Sequence, residues 1–259
     1  MKDLLTDKVV MISGGTCGVG AGIARAAVRE GASVVVTGRG TEKGTELENE
    51  LTAQGAQALF VQTDVTDPDQ AIRAVETTVH MFGRIDCLVN AAGLTDRGAL
   101  VNTTPDLFDQ HIAVNLRSPF FTMQAAVQDM LSRGAPGTIL NIISVDELGG
   151  QPFLAPYVAA KAGLAGLTRN AAHAHRWDRI RVNGLDIGWT ETEGEDATQR
   201  AFHGAGDDWL DKANASVPMG KLGQVDEIGD AAVFLLSDRS GVVTGSVLDW
   251  DQNVAGGAG

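Results

Sequence analysis

Apolar residues occur along this chain in short blocks, separated by longer stretches with helical spacing. The blocks fall at Lys8–Ile12, Ser33–Thr37, Ala58–Gln62, Cys87–Asn90, Thr138–Ile143, Arg181–Asp186 and Ser246–Trp250. Most are rich in Val, Ile and Leu without strict polar alternation, the pattern of strands covered on both faces of a parallel sheet. Between them, apolar positions recur every three or four residues over Val19–Glu30, Glu42–Gln54, Asp69–Phe82, Pro105–Arg133, Ala155–Trp177 and Asp226–Ser237, which predicts helices. Pro119 predicts a break in the long fourth pattern, because proline has no N–H to donate and its ring crowds the preceding turn. Strands and helices alternating at this spacing predict βαβ units with right-handed crossovers, hence an α/β, Rossmann-type doubly wound fold of about seven parallel strands. Residues 188–217, GWTETEGEDATQRAFHGAGDDWLDKANASV, break the rhythm and contain no clear strand. Long excursions of this kind in compact domains are often lids or binding loops, so a substrate lid is expected there.

Composition narrows the picture. A chain of 259 residues can form one large α/β domain or two small ones; it has no proline- or serine-rich linker, so a single domain over 1–259 is expected. A formal net charge of −13 argues against a nucleic-acid partner, since phosphate backbones call for clustered Lys and Arg. The first fifteen residues, MKDLLTDKVVMISGG, carry charges on both sides of a short apolar run and resemble neither a secretory signal nor a membrane span. Cys17 and Cys87 have no motif spacing and read as buried reduced thiols of a cytoplasmic protein. His173 and His175 are two residues apart and do not share a helix face, and no Cys/His cluster has ligand spacing, so no catalytic metal is expected.

Chemistry enters after the first strand. Ser13-Gly14-Gly15-Thr16-Cys17-Gly18-Val19-Gly20 leads straight into a helical run from Ala21 to Glu30. A helix N-terminus offers unpaired N–H groups and a positive dipole end, and glycines let a backbone come close to a pyrophosphate. Alone, the three glycines fit a plain tight turn as well as a phosphate site; directly after the first strand, the phosphate reading gains. The second signal is PYVAAKAGLAG at 156–166, which holds the one tyrosine of the chain. Tyr157 and Lys161 are four apart and share a helix face. A free phenol has a pKa near 10, too high for a base at neutral pH, and a nearby cation is expected to lower it.

Taken together, SGGTCGVG at 13–20, NAAG at 90–93, Asn115 in HIAVNLRSPF, Ser144 in NIISVDELGG and YVAAK at 157–161 resemble, in order and separation, the marks of the short-chain dehydrogenases/reductases in their one-domain branch. The resemblance implies an NAD(P)-dependent oxidoreductase moving a hydride between nicotinamide and a secondary alcohol or carbonyl. It implies that Tyr157 transfers the proton and that Lys161 tunes the phenol and bonds the nicotinamide ribose. Ser144 would hold the substrate oxygen, and Asn115 would anchor a water linking Lys161 to solvent. For the cofactor it implies Gly14, Thr16, Cys17, Gly18, Val19 and Gly20 at the phosphates, Asp64 and Val65 at the adenine, and Asn90, Ala91 and Gly93 along the ribose. Ile187, Thr190 and Thr192 would lie near the nicotinamide carboxamide. It also implies a homotetramer or homodimer, packed through the small residues Ala159, Ala160, Ala162, Gly163, Ala165 and Gly166. Two departures stand out: Ile187 replaces the family's proline after the sixth strand, and Asp251-Gln252-Asn253 replaces its terminal Asp-Gly-Gly.

Rossmann sites that take NAD carry an acid at the end of the second strand; here that place holds Gly38, followed by Arg39. A guanidinium fork suits a 2′-phosphate, so NADP is expected over NAD. Ser144 is followed by Val145-Asp146-Glu147, and carboxylates are good acceptors for sugar hydroxyls. Glu147, His203 and a flat Trp189 wall would suit a sugar or polyol. The alternatives are a reductase of a hydrophobic ketone or β-ketoacyl substrate, and a non-catalytic dinucleotide sensor on the same fold.

Overall fold

The computed structural model describes residues 3–254. The first apolar block forms β1 (Val9–Ser13), and the glycine turn leads from it into α1 (Gly18–Arg29). Then follow β2 (Ser33–Gly38), α2 (Thr41–Ala53), β3 (Ala58–Gln62), α3 (Pro68–Phe82) and β4 (Cys87–Asn90). The second half holds α4 (Pro105–Ile112), α5 (Ser118–Ser132), β5 (Gly137–Ser144), α6 (Ala155–His175), β6 (Ile180–Ile187), α7 (Glu193–His203), α8 (Trp209–Ser216), α9 (Val225–Leu236) and β7 (Val247–Trp250).

The seven strands form one parallel sheet in the order β3-β2-β1-β4-β5-β6-β7. Because the central strands are buried from both sides, neighbouring residues along such a strand feed different cores. Val10 and Ile12 pack with Ile23, Ala27 and Ile228 from α1 and α9. Met11 between them packs with Val75, Met123 and Met130 from α3 and α5. This two-sided burial explains the missing polar alternation. The chain order turns back between β1 and β4, and in open α/β sheets that crevice at the strands' carboxyl ends is where ligands bind.

Local chemistry marks many boundaries. Asp67 caps α3 by accepting from the Asp69 N–H at 2.9 Å, Pro68 begins the helix, and Gly83 ends it at φ 78°. The expected break in the fourth pattern is present, but it lies just ahead of Pro119. Residues Ala113–Arg117 form a π-helical turn between α4 and α5. In a continuous α-helix the Asn115 carbonyl would take the N–H of residue 119, which proline lacks, so the turn widens instead. The 188–217 excursion contains no strand, as expected, but it is largely helical, holding α7 and α8. Among the described residues no helix is long and apolar enough to cross a membrane.

Helices α1 and α9 cross closely because glycines face each other. A Cβ at Gly22 would stand 2.7 Å from the Val225 carbonyl oxygen, and one at Gly229 would stand 2.9 Å from that of Gly22. Gly22→Val therefore forces the helices apart. We expect a loss of about 1–3 kcal/mol, as for other overpacked cores, read as a lower denaturation midpoint in urea with an unchanged slope.

Candidate active site

The glycine turn is built for close approach. A Cβ at Gly14 would lie 2.4 Å from the Ala92 backbone, and one at Gly20 would lie 2.1 Å from the Gly14 carbonyl oxygen. The turn thus folds onto the start of α1 and onto the NAAG segment, where the Ala91 N–H donates to the Ser13 carbonyl at 2.8 Å. Helix α1 begins without a side-chain cap at Cys17 and without an acid in its first turn, so its N–H groups and dipole end face the crevice; Cys17, in the turn ahead of the helix, is exposed and not buried as expected, while Cys87 inside β4 is buried. An uncapped helix start behind a turn that no larger side chain could occupy fits a pyrophosphate.

At the end of β2, Gly38 cannot be an acid: its Cβ would lie 2.4 Å from Thr16 Oγ1. Arg39 follows it and is exposed. Asp64 is partly committed to its own turn, with Oδ1 accepting from the Thr66 N–H at 2.9 Å and the Thr66 hydroxyl at 2.8 Å. Val65 beside it is buried. The Asn90 side chain does not face the crevice. Its amide donates to Asn141 Oδ1 at 2.8 Å and its oxygen accepts from the Thr122 hydroxyl at 2.7 Å, so a ribose in the crevice would meet the backbone of this segment and not the Asn90 side chain.

Tyr157, Lys161, Ser144 and Asn115 are all buried at the carboxyl end of the sheet. Tyr157 and Lys161 stand one turn apart on α6, with Lys161 Nζ 5.6 Å from the phenol ring centre and donating to the Ile142 carbonyl at 2.7 Å. Ser144 ends β5; its hydroxyl donates to Asp146 Oδ2 at 3.2 Å and interacts with the phenol. Asn115 sits in the π turn, where its side chain both accepts from the Leu94 N–H and donates to the Leu94 carbonyl, each at 3.0 Å. His111, buried and edge-on to the Tyr157 ring at 6.2 Å, donates from Nε2 to the Asp96 carbonyl, leaving Nδ1 to accept from the Asn115 amide at 3.3 Å. Burial holds this histidine's pKa below its ordinary value, consistent with that neutral tautomer.

The electrostatics correct one expectation. Lys161 does not hold the phenol below its usual value: burial pushes Tyr157 well above it, Ser144 and Arg97 work against the rise, and Asp146 and Asp186 add to it. Burial also lowers Lys161 to about 8, against the pull of Asp186. Two short-range desolvation costs therefore outweigh the attraction sought from the i, i+4 spacing.

Asp186 itself carried no sequence signal. It belongs to an otherwise apolar strand, is 1% exposed, and neither carboxylate oxygen has a hydrogen-bond partner. Burial raises it to about 7. Arg97 was likewise unmarked. It follows the NAAG loop, lies over the Phe153 ring at 5.3 Å, and donates to His203 Nε2 at 3.1 Å.

The 188–217 segment reaches across the crevice by polar ties. Thr192 caps α7, its oxygen accepting from the Glu195 N–H at 3.0 Å, while its side chain lies over Gly18, 3.6 Å from where a Cβ would be. Lys43 on α2 pairs with Glu193 at 2.5 Å. Trp189 is not a free wall: its indole donates to Glu195 Oε1 at 2.7 Å and its rings lie 6.5 Å from those of Trp209. The Thr190 hydroxyl donates to the Gly188 carbonyl, and Ile187 is partly buried opposite Ser144 in the sheet register. Glu147 lies half-buried in the 3₁₀ turn after Ser144.

A single tyrosine makes the phenol directly measurable. In the ligand-free protein, the ultraviolet absorbance of phenolate should appear only well above pH 10, the ordinary phenol value. A midpoint below it would show that Lys161 outweighs burial after all.

A family model described as enoyl-(acyl carrier protein) reductase matches residues 14–253. The chain is 36% identical to an A-factor type gamma-butyrolactone 1′-reductase (1S-forming) of Streptomyces virginiae, over 95% of either chain. It is 34% identical to a gluconate 5-dehydrogenase of Gluconobacter oxydans, covering 94% of this chain and 93% of the relative. The crystal structure of an NAD⁺-bound xylitol dehydrogenase superposes with a TM-score of 0.88 at 25% identity, over 96% of this chain and 99% of that one. With the sheet order and the glycine turn already in place, this match along nearly the whole length means that the chain belongs to the short-chain dehydrogenases/reductases, enzymes that act on CH–OH groups with NAD(H) or NADP(H).

Proposed function

We propose that the protein interconverts a secondary alcohol of a sugar or polyol and its ketone, with NADP preferred over NAD. The observation that carries the substrate class is the carboxylate pair beside Ser144. Asp146 already bonds the Ser144 hydroxyl, and Glu147 stands next to it, so acceptors for further hydroxyl groups surround the reacting oxygen. The similarity to a gluconate dehydrogenase and a xylitol dehydrogenase supports the same class.

A bound nicotinamide ring supplies or accepts the hydride. The chain's own residues manage the oxygen and the proton. Tyr157 takes the alcohol proton while Ser144 holds the oxygen. Lys161, released from water on all sides, holds the ribose with the N–H groups not spent on the Ile142 carbonyl. When its ammonium is charged it makes the buried phenolate less costly. The π turn and His111 fix Asn115, whose place near the Leu94 backbone suits the anchoring of a water between Lys161 and solvent. Preference for NADP rests on Gly38, where Thr16 leaves no room for a competing acid, and on the exposed guanidinium of Arg39.

Residues 188–217 act as a lid on the single domain. Helix α7 buries none of its side chains and is held by ion pairs and by the Arg97–His203 bond, the weak fastening expected of a segment that opens. Trp189 and His203 then shape the substrate side from the lid rather than as free walls. Gly166 has open space where a Cβ would be, Ala159 beside it on α6 is exposed, and Phe108 and Phe120 are more than 40% exposed on α4 and α5. We read this open face as the contact of a homodimer or homotetramer.

The deciding experiment is a panel of sugars, polyols, alcohols and ketones followed at the nicotinamide absorbance with each cofactor. Turnover of polyols with NADP is the expected result; turnover of hydrophobic ketones alone would replace the substrate class. Tyr157→Phe should lose turnover while keeping cofactor affinity. Arg39→Ala should weaken NADP binding about tenfold, the loss typical of a charged hydrogen bond, and leave NAD binding nearly unchanged. Equal weakening of both would remove Arg39 from the 2′-phosphate.

A further inference from the structure

Asp186 is a carboxylic acid in a place that offers it nothing. It is the last residue but one of β6, before Ile187, with both oxygens buried and unpartnered among the described residues. Its register neighbour on β7 is another acid, Asp249, and its remaining charged surroundings are Glu147 and Asp146 from the 3₁₀ turn and Lys161 from α6. Like charges side by side across strands are destabilising, and an unpaired buried carboxylate is costly. The Lys161 ammonium donates to the Ile142 carbonyl and not to Asp186. Among the described residues, Lys161 is the one cation set against Asp186 and its three acidic neighbours in this corner. No group of three or more acids, histidines or cysteines among the described residues is arranged to hold a metal ion.

The reaction brings one cation of its own. An oxidised nicotinamide ring carries a positive charge that the reduced ring lacks. The ring must come within hydride reach of a carbon whose oxygen touches Tyr157, and Asp186 acts electrostatically on Tyr157. We propose that Asp186, reinforced by Asp249, Asp146 and Glu147, makes the site bind the oxidised cofactor in preference to the reduced one, so that a mixed pool loads it with the hydride acceptor. This rests on the reading of the Tyr157 site as a nicotinamide site. The preference is present when Asp186 is ionised. Burial holds its pKa at about 7, so the preference grows as pH rises through neutrality and fades below it. Lys161, at about 8, loses its own charge slightly higher and moves the preference the same way. Substitution of Asp186 separates the two.

The test is calorimetric titration of the protein with NADP⁺, NADPH, NAD⁺ and NADH below and above neutrality. The wild-type ratio of reduced to oxidised dissociation constants should rise about tenfold across neutrality, the scale of one charge pair at several Å in a partly screened site. Asp186→Asn should lose most of that rise and bind NADP⁺ about tenfold more weakly at the higher pH, with NADPH little changed. Should that variant fail to fold, Asp186→Ser, small and neutral, replaces it. A ratio that is flat with pH, or unaffected by substitution, overturns the inference while leaving the cofactor reading intact. Failure of all four nucleotides to bind overturns both.

Discussion

Desolvation between α6 and the carboxyl ends of β5 and β6 is the constraint on which the site depends. Tyr157, Lys161 and Asp186 are each nine-tenths or more buried there, and for each the first influence on its charge is the loss of water. The result is a phenol pushed up, an ammonium pulled down and a carboxyl raised toward neutrality. Lys161, at about 8, and Asp186, at about 7, are thereby drawn together near neutrality, where small changes in occupancy of the crevice decide who holds the proton, while the phenol is moved away from them. Anything that closes the crevice or brings charge into it acts on all three together.

The scaffold supplies this at little local cost. Helix α6 can lie close to the sheet because Ala160 and Ala165 face inward and Gly163 leaves room for Leu116. Asn115 is held from the opposite side by a π turn that exists because Pro119 cannot complete the α-helical ladder. The glycine turn and the NAAG segment approach so closely that Gly14 and Ala92 leave no gap for a side chain. Rigid parts therefore hold the chemistry, while the part expected to move, α7, is fastened by Lys43–Glu193 and Arg97–His203 at the surface.

Surface charge follows the same division. The net charge of −13 is not spread evenly in its effect: Asp146, Glu147, Asp186 and Asp249 gather at one corner of the crevice, while Arg39 stands exposed just after β2. A ligand carrying phosphate at one end and, when oxidised, a cation at the other would meet complementary charge at both.

What the chain pattern determined by itself was local or periodic. Unbroken Val/Ile/Leu blocks specified strands covered on both faces, the glycine spacing specified a turn that lets a helix start approach its strand, and the four-residue step from Tyr157 to Lys161 placed both on one helix face. Each of these is set within a few residues, so it is written into the order of the side chains. Residues of ordinary appearance were invisible for the same reason. Asp186 is one acid in an apolar strand and Arg97 one cation in a loop; only the sheet register and the packing of the loops bring their charges to bear on Tyr157. The sign of the phenol's shift was also out of reach, because it depends on how much water reaches α6, and that is decided by what the distant strands and turns pack against it.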